Sequence, residues 1–124
     1  MNGESGSNVG DTWPASLDAM AAAPDHHVVL LENDRVRVLD TRLEPGERTP
    51  VHTHGWPSVL YVVSWSDFVR YDSAGAVLLD SRGMSAKPEG GATLWSGPLG
   101  PHSAHNVGNQ ELRVIAIELK DARG

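Results

Sequence analysis

From Val28 onward the chain alternates short runs of β-branched and aliphatic residues with clusters of turn formers, a texture that predicts strands. Arg35-Val36-Arg37-Val38-Leu39 alternates polar and apolar positions, and Arg113 to Leu119 alternates again, as strands with one buried face do. Ser58 to Val63 and Asp67 to Tyr71 are also strand-like. Punctuation falls at Glu32-Asn33-Asp34, Glu44-Pro45-Gly46, Asp72-Ser73-Ala74-Gly75, Gly90-Gly91 and Gly108-Asn109. Short strands between tight turns predict an all-β fold, a single antiparallel β-barrel or jelly roll. A short N-terminal helix is expected over Pro14 to Ala23, alanine-rich, with a serine to cap it and Pro24 to stop it. It is expected to cover a barrel opening or a dimer seam. Residues 1–12 are mostly Gly, Ser, Asn and Asp, too polar to offset the entropy of ordering. A disordered tail over 1–12 and one β-barrel domain over 13–124 follow.

A chain of 124 residues makes one domain that buries roughly two thirds of its unfolded surface. With 16 acidic against 10 basic residues and no Lys/Arg cluster, it lacks the footprint of a nucleic-acid or anionic-membrane binder. Cysteine is absent, which excludes disulfides, thiolate ligands and cysteine nucleophiles and leaves His, carboxylates and water for any metal. Met1 to Gly6 has neither a basic start nor an apolar run, so no signal peptide is expected and the cytoplasm is the expected location.

The densest chemical signal is His52-Thr53-His54, framed by Gly46 and Pro50. Residues two apart on a strand share a face with Cα atoms roughly 6.5 to 7 Å apart, so two imidazoles can converge on one cation at roughly 2.0 to 2.1 Å. A third ligand must come from elsewhere. Gly97-Pro98-Leu99-Gly100-Pro101 leads into His102, with Asn106-Val107-Gly108 beyond it, an approach into a strand that could lie beside the first. His105 stands three residues from His102, so on a regular strand the two face opposite sides and one of them lies outside. His26 and His27 read as solvated histidines in the approach to the first strand.

Gly46-(x)5-His52-x-His54 resembles the first motif of the cupin superfamily, and Pro98-x-Gly100 with His102-(x)3-Asn106 resembles the second. The resemblance spans Val28 to Lys120 and its element order matches a single cupin barrel. It implies a divalent metal (Fe, Zn, Ni or Mn) held by His52, His54 and His102, because the family's second motif places its His four residues before Asn. His105 stands in the same relation to Asn109, so the alternative register stays open. Three positions depart from the pattern: Ser58 stands where the family supplies a metal-binding Glu, Trp65 where the first motif closes on Gly, and His102 follows Gly100 one residue early. The arrangement is similar to cysteine dioxygenase-like and diketone-cleaving cupins, which hold iron with three His and no Glu. Three neutral imidazoles would leave the ion's charge uncompensated, an electron-poor site suited to a small anionic ligand at an open position.

Ser58, Trp56 and Trp95 are the candidate pocket residues, with Trp65 a further barrel-lining candidate and Tyr61 expected on the face opposite Ser58. Arg35, Arg37, Arg48 and Arg70 could hold an anionic substrate, but isolated arginines are seldom fully buried, so the expectation is that they lie in solvent or pair with Asp34, Asp40, Glu47 and Asp72. No nucleophile frame, phosphate loop or dinucleotide fingerprint is present. Three readings remain: a metal-dependent enzyme on a small anionic organic substrate (oxygenase, or isomerase/lyase), a non-catalytic ligand-binding or sensor module, and a structural barrel. A homodimer is expected, because the opening helix and strands resemble the segment many cupins use to extend a neighbour's sheet.

Overall fold

The computed structural model describes residues 12–120. The tail expected over residues 1–12 therefore lies, Thr12 apart, outside the described residues. Nine strands follow in order: β1 His27–Glu32, β2 Val36–Leu43, β3 His52–His54, β4 Ser58–Ser64, β5 Phe68–Asp72, β6 Val77–Asp80, β7 Thr93–Ser96, β8 Leu99–Asn106 and β9 Leu112–Leu119. They form two antiparallel sheets, ordered β1-β2-β9-β4-β7 and β3-β8-β5-β6. The two alternating stretches of the sequence become β2 and β9, which pair without interruption from Val36 opposite Leu119 to Leu43 opposite Leu112.

The two-residue period of the strands decides what lies between the sheets. Leu112, Val114 and Ala116 of β9 and Ser58, Leu60 and Val62 of β4 line an internal cavity from one side. Phe68 and Arg70 of β5, His102 and Ala104 of β8 and Leu79 of β6 line it from the other. Tyr61, out of phase with Ser58, is exposed on the outer face. On that outer face Asp40 accepts from Arg42 Nη2 and Arg113 Nη2, both at 2.9 Å.

The N-terminal helix is shorter than expected. α1 spans Ala19–Ala22 between 3-10 turns at Ala15–Leu17 and Pro24–His26. Its cap is Asp18, not the serine two residues earlier: the Asp18 carboxylate accepts from the Met20 amide at 3.0 Å, while extended backbone at Asp18 breaks the helical run. Ala19 is fully buried with Leu39 and Ala116, and Met20 and Leu60 pack against them, so the helix closes one end of the space between the sheets. Asp18 also bridges to Thr53, which lays this segment along β3 beside the histidine pair. Among the described residues no helix is long and apolar enough to cross a membrane.

Asn106, fully buried, ties three chain segments together. Its Oδ1 accepts from Ser66 Oγ at 2.7 Å and the Gly108 amide at 3.0 Å, and its Nδ2 donates to the carbonyls of Leu43 (2.7 Å) and Gln110 (2.9 Å). Every donor and acceptor of the amide is used, so its place in the second motif is structural. Gly108 fits beneath this knot only because it lacks a Cβ, which would stand 2.0 Å from Ser66 Oγ and 2.9 Å from the Asp67 nitrogen. Gly108→Ala should therefore cost about 1–3 kcal/mol of stability. Gly97→Ala, where a Cβ meets nothing within 4 Å, should stay within about 0.5 kcal/mol of wild type. Urea unfolding of the two variants side by side checks both, and equal midpoints would contradict the packing described.

Candidate metal centre

Four imidazoles meet at one end of the cavity. β3 contributes His52 and His54, β8 contributes His102 opposite His52, and the first residue of β1 contributes His27. Ring centroids of His27 lie 5.0 Å from His52 and 5.3 Å from His54; His52 and His54 are 5.0 Å apart. His102 lies 4.5 Å from His52 and 5.7 Å from His54. One ring nitrogen from each of His27, His52 and His54 falls within 4.8 Å of the others, so this group could hold a metal ion; His102, expected as the third ligand, stands beside this group and is not a member of it.

Each ring is fixed through its Nδ1. In the tautomer these contacts select, Nδ1–H donates to the carbonyl of Pro50 from His52 (2.8 Å), of Gly100 from His102 (2.7 Å) and of Ala23 from His27 (2.9 Å). His54 Nδ1 instead meets Glu118 Oε2 at 3.0 Å. Every Nδ1 has a partner, which leaves each Nε2 lone pair for another use. His27 Nε2 is buried and has no hydrogen-bond partner. A buried orphan acceptor is costly unless something meets it, and a cation does so. Burial pushes the His52 pKa down to about 2, helped by His54 and His102 nearby, and burial likewise lowers His27 and His102 to about 4. These three rings are neutral at pH 7, the form that ligates metal.

The expectation for His27 is thus overturned. It is 2% exposed and sits in the cluster, because the 3-10 turn at Pro24–His26 delivers it to β1 with its ring against Ala23. His26 is half-buried, against the Arg42 carbonyl. His105 pairs with Val69 and Arg48 in the backbone and does not line the cavity, whereas His102 does.

Behind His54 runs a chain of charges. Glu118, with no solvent exposure, accepts from Arg37 Nε at 2.6 Å, and Arg37 donates both terminal nitrogens to Asp18, Nη1 to Oδ2 at 2.9 Å and Nη2 to Oδ1 at 2.8 Å. Burial alone would raise the Glu118 carboxyl, but hydrogen bonds from His54 and Arg37 hold it below its ordinary range. Arg37 is therefore neither solvated nor paired with Asp34 or Asp40; it is buried between two carboxylates brought together by β2, β9 and the helix cap. Ser58 lies directly opposite Glu118 across the β4–β9 pair. The negative charge expected to be missing at Ser58 is supplied one strand away, through His54.

The remaining candidates separate. Ser58 is buried in the cavity wall, Trp95 lines the cavity while 63% exposed, and Trp65 lines it packed edge-on against Phe68. Trp56 is not part of the wall; its ring lies under Arg37 at 5.1 Å and Lys120 at 5.5 Å. Arg48 lies over Tyr71 and donates to Ser103. Arg70 lines the cavity, against the expectation that it would be solvated or ion-paired. The cavity measures about 340 Å³ and its wall is mainly aliphatic and aromatic.

No known family model matches the chain, and neither does any curated protein. Solved structures do. A cupin domain from Bordetella pertussis superposes with a TM-score of 0.62 at 21% identity, over 76% of this chain and 91% of that one. An RmlC-like cupin family protein from Methanocaldococcus jannaschii gives 0.53 at 14% identity, over 76% and 80%. The polyketide cyclase RemF from Streptomyces resistomycificus gives 0.50 at 18% identity, over 77% of this chain and 64% of that one. At these identities the likeness concerns the fold alone: two facing antiparallel sheets around a cavity, the cupin double-stranded β-helix, is the architecture of this chain.

Proposed function

We propose that the chain is a divalent-metal-dependent enzyme acting on a small organic anion, with His52, His54 and His102 as ligands and His27 as a fourth. The observation that carries this is the buried His27 Nε2, without a hydrogen-bond partner, in a cluster of imidazoles whose Nδ1 atoms are all engaged. When bound, iron, zinc, nickel or manganese at such a site polarises a coordinated oxygen atom. Glu118 holds the His54 ring in orientation and balances part of the positive charge, and Arg37 and Asp18 hold Glu118. The mainly aliphatic and aromatic walls present apolar surface to the body of the ligand.

Among the described residues, no Asp, Glu, Lys or Tyr lines the wall. A reaction that relies on a side chain to carry a proton has no carrier there beyond the imidazoles themselves, which favours oxygenase over isomerase or lyase chemistry. The same observation supports the second reading, a non-catalytic module that holds its ligand through the metal.

Protein purified without an affinity tag should carry one divalent ion per chain by elemental analysis. Alanine at His27, His52, His54 or His102 should lower that content severely, and His105→Ala should leave it unchanged. Retention in His27→Ala would remove the fourth ligand from the proposal; retention in His52→Ala or His54→Ala would end it. Glu118→Gln, which removes the charge behind His54, should weaken metal affinity about 10- to 100-fold in a competition titration. Oxygen uptake with a panel of small acids separates oxygenase from binding module.

We also propose that the chain forms a homodimer. β1 is a sheet edge, and Val28, Leu30 and Leu31 are each more than half exposed, with Val29 38% exposed. Apolar side chains on both faces of an edge strand invite a second copy. Sedimentation equilibrium should give twice the chain mass, and Leu30→Lys should shift the population toward monomer. A concentration-independent monomer in wild type contradicts this.

A further inference from the structure

Among the described residues, Arg70 is the one Lys or Arg side chain in the cavity wall, and no carboxylate lines that wall. Among the described residues it makes no ion pair; its guanidinium carbon lies 5.6 Å from the centroid of the Phe68 ring, and its charge is felt at His102. The nearest acidic residue along its strand, Asp72, is engaged in closing the β5–β6 turn, accepting from the amides of Ala74 and Ala76 at 2.9 Å. Arg70 pairs with Ala104, two residues beyond His102 on the same face of β8, which sets it diagonally across from the histidine cluster, about 7–8 Å away along the backbone. Away from the histidines the wall is mainly apolar, with Leu60, Val62, Phe68, Leu79, Leu94 and Val114 prominent among a few hydroxyl side chains.

We propose that the cavity takes a ligand with an apolar, ring-sized body and a single carboxylate-type group, and that Arg70 holds that group while the body presents its other end to the histidines. A neutral ligand would leave the guanidinium without a counter-charge. A compact polyanion would press additional charges against aliphatic walls that cannot solvate them. A monoanion with an apolar body meets both demands, and Arg offers a planar fork matched to a carboxylate. Burial without any compensating anion also lowers the Arg70 pKa. The proposal deepens the metal-enzyme reading at the ligand's far end, but the Arg70 contact itself needs no metal.

The test titrates naphthalene-2-carboxylate, the neutral naphthalene-2-methanol and citrate into wild type, Arg70→Gln and Arg70→Lys, each as purified and after chelator treatment. Fluorescence of Trp65 and Trp95, both in the cavity wall, reports binding. Wild type should prefer the naphthoate over the alcohol by about tenfold or more, the range of a charge-assisted hydrogen bond, and over citrate as well. Arg70→Gln should bind both naphthalenes alike, and Arg70→Lys should keep most of the preference. Preference retained in Arg70→Gln overturns the proposal, as does citrate binding most tightly. Should Arg70→Gln bind neither naphthalene, Arg70→Lys decides: preference kept supports the proposal, and preference lost overturns it. Failure of the metal reading shows separately, as wild type without bound metal that still discriminates through Arg70.

Discussion

The arrangement of the site depends on one buried carboxylate. Glu118 has no contact with solvent, and a lone charge there would be prohibitively costly; it is tolerated because Arg37 and His54 donate to its two oxygens. Those two bonds join β9 to β2 and β3, and Arg37 passes the connection on to Asp18, the residue that caps α1. One electrostatic chain therefore fixes the helix, the two sheets and the orientation of a candidate ligand. Buried ion pairs are poor sources of net stability, and their usual benefit is specificity of arrangement. Removing one member would strand the next, so the set acts as a unit.

The cavity divides by chemistry. At one end four imidazoles have their Nδ1 atoms tied off and three of them are held neutral by burial. Along the remainder aliphatic and aromatic side chains dominate, interrupted by Arg70. Neutral, crowded imidazoles are a poor arrangement in water and a good one around a cation, since the unpaired His27 Nε2 then gains a partner.

Much of the fold was legible because strand formation is local. Alternation located β2 and β9, and the turn clusters fell between strands at Asn33, Gly46, Gly75 and Gly108. The histidine pair of β3 was legible for the same reason, since two-residue spacing alone places both rings on one face. His27 was not, because its role depends on a 3-10 turn at Pro24 that no periodicity announces. Glu118 was hidden differently. The alternation of β9 located the strand but carries aliphatic residues in both phases, Val114 and Ala116 in one and Ile115 and Ile117 in the other, so it did not say which phase faces inward. Arg37 and Asp18 lie 19 residues apart and meet only through sheet pairing and the cap, a contact that spacing does not reveal.

The central claim is that imidazoles from β1, β3 and β8 share one ion. Extended X-ray absorption fine structure at the zinc edge of zinc-loaded protein tests it directly. The account predicts a first shell of nitrogen at roughly 2.0–2.1 Å with the outer-shell scattering of four imidazoles. A shell dominated by oxygen, with two imidazoles or fewer, would contradict it.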